Sequence, residues 1–189
     1  MRIGIMGGTF DPIHVGHLIA ASEVYRELQL DRVLFIPAGQ PWQKADRVVS
    51  SARDRLAMVE CAIESDSRFM ASDIEIIHDG PTYAVETMDK LLADNPEDEF
   101  FWIVGEDVLA TLTTWHDWER FVHQVTVVVV NRQGDHAIEA PFECVRVSMP
   151  EVRVSATQLR SRIARGDDCR YLVTDAVSAY IAEHAMYRA

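Results

Sequence analysis

No stretch of this chain is apolar for long enough to cross a bilayer. The longest such run, Val125 to Val130, has the length of a single strand. The first strand signal begins at Arg2, which leaves no room for a separate charged and apolar leader, so the expectation is a cytoplasmic protein without a membrane partner. Cysteine is scarce. Cys61, Cys144 and Cys169 stand far apart without metal or redox spacing, and an odd count without a framework suits reduced thiols in the cytoplasm. Cys61, in a helical run, and Cys144, in a strand, read as small core residues. Positive charge is also scarce: 18 Lys and Arg face 30 Asp and Glu, a net charge of −12. That balance argues against DNA or RNA as a partner, and an anionic substrate would need a local positive patch. Linkers, repeats and low-complexity segments are missing too. The 189 residues read as one domain, 1–189, with an exposed loop between Gly134 and Pro141.

What the chain does have is alternation. Strand signals at 2–6, 32–37, 69–77, 99–104, 126–130 and 143–147 alternate with helical ones at 16–29, 51–64, 83–94, 106–112, 117–123, 155–165 and 174–185. In the helix at 51–64, Leu56, Val59, Ala62 and Ile63 share one side. The pattern predicts a Rossmann-like α/β fold, a doubly wound parallel sheet with helices on both faces. Ligands in such folds sit at the carboxyl ends of the strands. The loops to watch are therefore 7–17, 37–44, 78–83, 105–115 and 131–134.

The first of these is the most informative. Gly7 and Gly8 end a strand and let a ligand approach the backbone, Thr9, Phe10, Asp11 and Pro12 turn the chain, and a helix starts near Gly16. A helix N-terminus offers free N–H groups and a positive dipole end to a phosphate. His14 and His17 stand in the same turn and admit three readings: helix caps, metal ligands together with Asp11, or hydrogen-bond donors to phosphate. The glycine turn before them and the lack of a separate Cys/His cluster favour phosphate contact.

The run Gly7-Gly8-Thr9-Phe10-Asp11-Pro12-Ile13-His14-Val15-Gly16-His17 resembles the signature of the H-x-G-H nucleotidyltransferases. Later segments resemble one branch of them, the nicotinate-mononucleotide adenylyltransferases. Pro37 to Lys44 looks like that family's loop carrying a basic residue toward phosphates. Gly80-Pro81-Thr82-Tyr83 with Thr87, Gly105-Glu106-Asp107 with Trp115 and Trp118, and Val154-Ser155-Ala156-Thr157 with Arg160 resemble its other motifs in order and spacing. Two departures stand out: Ala156 replaces a serine, and Gln133 follows Arg132 where proline is frequent.

The resemblance implies transfer of AMP from ATP to nicotinate mononucleotide, giving nicotinate adenine dinucleotide and pyrophosphate in NAD biosynthesis, with Mg²⁺ carried on the ATP phosphates rather than in a protein metal site. It implies His14 and His17 as catalytic donors. It assigns Gly7, Gly8, Thr9, Phe10, Lys44, Ser155, Thr157 and Arg160 to ATP. Thr82, Tyr83, Gly105, Asp107, Trp115 and Arg132 fall to the mononucleotide. By residue type, Ser155 and Gln158 form a helix cap whose N–H groups could also hold phosphate. Arg160 offers a two-pronged fork to oxygens, Asp107 a two-oxygen acceptor for ribose hydroxyls or a helix-terminal charge, and Trp115 a stacking surface for a pyridine ring. Trp118 reads as core. Alternatives are an enzyme of nicotinamide mononucleotide, a pantetheine-phosphate adenylyltransferase, which would not need the Gly80–Tyr83 and tryptophan segments, and a non-catalytic nucleotide sensor, against which both histidines speak. The oligomeric state stays open, with room for a homo-oligomer.

Overall fold

The computed structural model of the chain describes residues 1–40, 50–77, 80–132 and 138–188. Six strands, β1 (Arg2–Gly8), β2 (Arg32–Pro37), β3 (Phe69–Ala71), β4 (Glu99–Gly105), β5 (Thr126–Arg132) and β6 (Cys144–Met149), form one sheet in the order β3-β2-β1-β4-β5-β6. All five pairings are parallel. The order runs outward in both directions from β1 and β4, so their carboxyl ends flank the topological switch point, where the two connecting loops part and leave a crevice.

Alternation along each strand feeds two apolar layers. Met6, Val33, Phe35, Phe101, Ile103 and Val128 face one side. There they pack with helices α1 (Val15–Glu27), α2 (Ala52–Ile63), α6 (Ala156–Ala164) and α7 (Asp175–Glu183). Ile3, Ile5, Ile36, Phe100, Trp102, Val104, Val127 and Val129 face the other, against α3 (Ala84–Asp94), α4 (Glu106–Leu109) and α5 (Trp118–Gln124). The central strands are thus apolar on both faces, which is why their sequences read as continuous rather than alternating runs. A buried residue such as Phe35 contributes about 1.5–3 kcal/mol by leaving water.

Three expectations need correction. The third strand stops at Ala71 rather than reaching residue 77, because the Asp73 carbonyl accepts from the N–H groups of Ile76 and Ile77 and turns the chain. In α2 the buried stripe is Arg55, Met58, Val59, Ala62 and Ile63, with Leu56 only half-buried at its margin. The helix expected over 106–112 is split into α4 and a 3₁₀ turn at Leu112–Thr114. All three cysteines are free; Cys169 is buried, Cys61 and Cys144 half-buried. Among the described residues, no helix is long and apolar enough to cross a membrane.

Candidate active site

A cleft of ≈ 880 Å³ opens at the carboxyl ends of β1 and β4. On the α1 side it is lined by Gly7, Gly8, Thr9, Phe10, His14 and His17, together with Ser155, Ala156 and Thr157 at the start of α6. On the α3 side it is lined by Thr82, Tyr83, Gly105, Asp107, Trp115 and His116. One cavity therefore straddles the edge of the sheet. Its volume lies in the upper part of the range for small-molecule sites.

The turn after β1 is shaped by close packing. A Cβ on Gly7 would lie 2.8 Å from the Trp102 ring, so glycine is what lets that indole press against the strand end. Phe10 adopts a φ of 51° and is 3% exposed, its ring packed on Phe35 and edge-on to His17. The Asp11–Pro12 peptide is cis. Three side chains from remote parts of the chain grip this turn. Arg55, 1% exposed, donates to the Thr9 carbonyl at 2.9 Å and also to the carbonyls of Gly39 and Ser50. Arg160 donates to the Asp11 carbonyl at 2.6 Å and to the Thr157 hydroxyl at 3.2 Å. The Tyr187 hydroxyl donates to Asp11 Oδ1 at 2.7 Å. Desolvation pushes the Arg55 guanidinium down, opposed by the nearby Asp11, Tyr187 and Glu75 charges. Burial pushes the Tyr187 phenol up, so it stays a donor.

The two histidines share one geometry. His14 is the N-cap of α1 and its ring stacks on His17 at a centroid distance of 3.8 Å. The His14 backbone N–H donates to His17 Nδ1 at 3.2 Å. A neutral His17 must then carry its proton on Nε2, leaving that atom a donor. Burial drives His14 down to about 4, so its imidazole is neutral near pH 7. The capping reading and a donor role are compatible here, because the cap uses Nδ1 of His17 and leaves Nε2 to donate.

Ser155 caps α6, its hydroxyl accepting from the Gln158 N–H at 3.3 Å, and the helix start faces the cleft. Arg160 lies outside the cleft lining, with one arm of its fork already committed to the Asp11 carbonyl. On the other side, Trp115 is half-buried against Phe121 and edge-on to Trp102. Tyr83 meets His116 ring to ring at 4.5 Å. Asp107 is exposed at the start of α4. Trp118 is half-buried beside Phe142. Arg132 ends β5. Lys44 and Gln133 lie outside the described residues. Among the described residues, no three His, Cys, Asp or Glu side chains converge as a metal site.

The family follows from comparison. A cytidylyltransferase-like family model matches residues 5–162. A probable nicotinate-nucleotide adenylyltransferase of Streptomyces coelicolor is 46% identical over 186 residues, covering 97% of this chain and 99% of that protein. One of Thermus thermophilus is 43% identical over 188 residues and covers both chains completely. The chain belongs to the nicotinate-nucleotide adenylyltransferases. The solved Plasmodium falciparum nicotinic acid mononucleotide adenylyltransferase complexed with NaAD shares the adenylyltransferase fold, with a TM-score of 0.84 over 98% of this chain and 97% of that one at 17% identity.

Three residues around the adenylyltransferase cleft escape motif reading: Arg55, Glu75 and, as a ligand of Asp11, Tyr187. Arg55 carried a signal, since the 3.6-residue period puts it on the buried stripe of α2 where a charge needs partners. Glu75 is 8% exposed, lines the cleft and accepts hydroxyl bonds from Thr82 and Thr87 at 2.8 Å each. Burial pushes its carboxyl up, while those two hydroxyls and the Gly39 N–H pull it down. Nothing local in the sequence marks it.

Proposed function

We propose that this cleft joins ATP and nicotinate mononucleotide, with ATP on the α1/α6 side and the acceptor on the α3/α4 side. The observation that carries the reading is that both sets of residues open into one continuous cavity across the sheet edge. A phosphate oxygen of the acceptor attacks the α-phosphorus of ATP in line. The new P–O bond forms as the bond from the α-phosphorus to its bridging oxygen breaks, and the electron pair leaves on pyrophosphate. The attacking oxygen is already anionic, so no general base is required. Catalysis then rests on holding two anions in line and stabilising the charge on the phosphoryl oxygens.

His17 and His14, with the N-termini of α1 and α6, supply the donors to that charge. A neutral His14 imidazole suits the task, since its N–H donates without the ring being charged. Gly7, Gly8, Thr9 and Phe10 supply backbone against the phosphates. Ser155 and Thr157 add contacts at the start of α6. Lys44 adds positive charge. Arg160 acts first on the turn that presents those groups. The N–H groups of Thr82 and Tyr83, at the start of α3, receive the pyridine carboxylate. Trp115 stacks on the ring, and Gly105, Asp107 and Arg132 serve its ribose and phosphate. Mg²⁺ bound to the triphosphate would supply charge neutralisation there. The three free cysteines accord with a cytoplasmic enzyme.

The test is pyrophosphate release from ATP with nicotinate mononucleotide, nicotinamide mononucleotide and phosphopantetheine offered separately. The acid mononucleotide should be turned over fastest. Faster turnover of either other acceptor would overturn the assignment of the α3 side.

A further inference from the structure

The two sides of the cleft are tied by a path of hydrogen bonds and one close backbone contact that runs beneath it. On the acceptor side, Glu75 Oε2 accepts from the Thr82 hydroxyl and Oε1 from the Thr87 hydroxyl, so one carboxylate holds both the loop before α3 and its first turn. The Glu75 backbone lies directly against Gly39, in the loop after β2. The Gly39 carbonyl in turn accepts from Arg55 at 3.0 Å, and Arg55 holds the Thr9 carbonyl of the phosphate turn. Gly39 is the joint of this path. A Cβ there would lie 2.1 Å from the Glu75 carbonyl oxygen, so no other residue lets the two loops touch.

The path also crosses the sheet edge. Thr87 belongs to α3, whose neighbours Val85 and Met88 pack in one apolar layer. Arg55 belongs to α2, whose Met58 and Val59 pack in the other. Packing within each layer fixes positions on its own side. The Glu75–Gly39–Arg55 path adds to the sheet a direct tie between the loop before α3 and the phosphate turn. Transfer between two bound anions depends on that relation, since a displacement of about 1 Å can cost roughly 100-fold in rate. Glu75 also carries a cost that packing alone would not select: a carboxylate in a site that disfavours its charge.

We propose that Glu75 is a positioning residue for the transfer, holding the acceptor loop in register with the phosphate turn through Gly39 and Arg55. This rests on the assignment of the α3 side to the acceptor. The experiment is steady-state kinetics of Glu75→Ala and Glu75→Gln with both substrates varied, using whichever acceptor the unaltered enzyme turns over fastest. The unaltered arm thus speaks to acceptor identity, and the variants speak to Glu75. For Glu75→Ala, kcat/KM for the acceptor should fall about 10-fold to 100-fold through a raised acceptor KM and a lower kcat per titrated active site, with the KM for ATP within about twofold. Glu75→Gln keeps one acceptor oxygen, and the threonine hydroxyls can rotate to serve its amide, so it should recover most of the loss. A purely structural Glu75 would lower only the active fraction, leaving both KM values and the kcat per titrated active site in place; that result, or an equal rise in both KM values, overturns the proposal. If Glu75→Ala does not fold, Thr87→Val decides. It is nearly isosteric, removes one donor to Glu75 and lies outside the cleft lining. An acceptor KM raised about threefold or more supports the tie, and an unchanged one sinks it.

Discussion

The two sides of the cleft are built on different physics. The α1 side presents mainly backbone to the cleft, two glycines, a tight turn and helix starts beside two stacked imidazoles, held from outside by Arg55, Arg160 and Tyr187. The α3 side presents mainly side chains: Trp115 wedged against Trp102 and Phe121, Tyr83 against His116, and a buried carboxylate ordering two threonines. A backbone cradle suits phosphate, the part of a nucleotide that varies least. An aromatic and hydroxyl-lined wall suits the part that must be told from its competitors. Changes on the first side should therefore appear in turnover, and changes on the second in the KM for one substrate.

The largest effect is expected at His17. Replacing it by alanine removes a donor aimed at developing charge and should lower kcat about 10²-fold to 10³-fold. Far-ultraviolet circular dichroism should be unchanged, because α1 keeps its length and its Ala20, Ala21 and Val24 face. Near-normal turnover would remove His17 from the transition state and break the contrast at its firmest point. A smaller and more selective effect is expected at Trp115. Stacking of a base on an aromatic ring is worth about 1–3 kcal/mol by alanine substitution. Trp115→Ala should thus raise the KM for the mononucleotide roughly 10-fold while the KM for ATP holds. Equal movement of the two KM values would mean that the indole supports the cleft as a whole.

The same contrast explains what could be read from sequence. The α1 side is local: strand, glycines, turn and helix fall within residues 2–27, and each has its own signal. The parallel sheet with helices on both faces follows from alternation, and the element boundaries mostly stand within two or three residues. The exception is instructive. Ile74, Ile76 and Ile77 continue the strand pattern after Ala71, yet the Asp73 carbonyl turns the chain there, and that turn brings Glu75 to the cleft. Periodicity sees the isoleucines and is blind to the carboxylate between them. Tyr187 reaches Asp11 across 176 positions, a distance over which no single-sequence pattern speaks. Arg160 shows the opposite case: its type was legible and its first partner was not, since a guanidinium suits a backbone carbonyl as well as a phosphate.

On each side one desolvated titratable group has a shifted pKa of note, Glu75 and His14, and the two tilt stability in opposite directions. Glu75 is pushed up, so its contribution is present below the ordinary carboxyl range and is lost as pH rises through its folded value. His14 is pushed down from 6.5 to about 4 by burial. The unfolded chain therefore binds the proton first, and the His14 contribution, complete above pH 6.5, is lost as pH falls toward 4. Between pH 7 and pH 6 that loss is only about 0.7 kcal/mol, the smallest effect considered. It is nevertheless separable. Urea midpoints at the two pH values should differ more for the unaltered enzyme than for His14→Gln, which has no imidazole to titrate but keeps a polar side chain at the helix cap. An equal difference in both would mean that His14 is not desolvated in the folded enzyme.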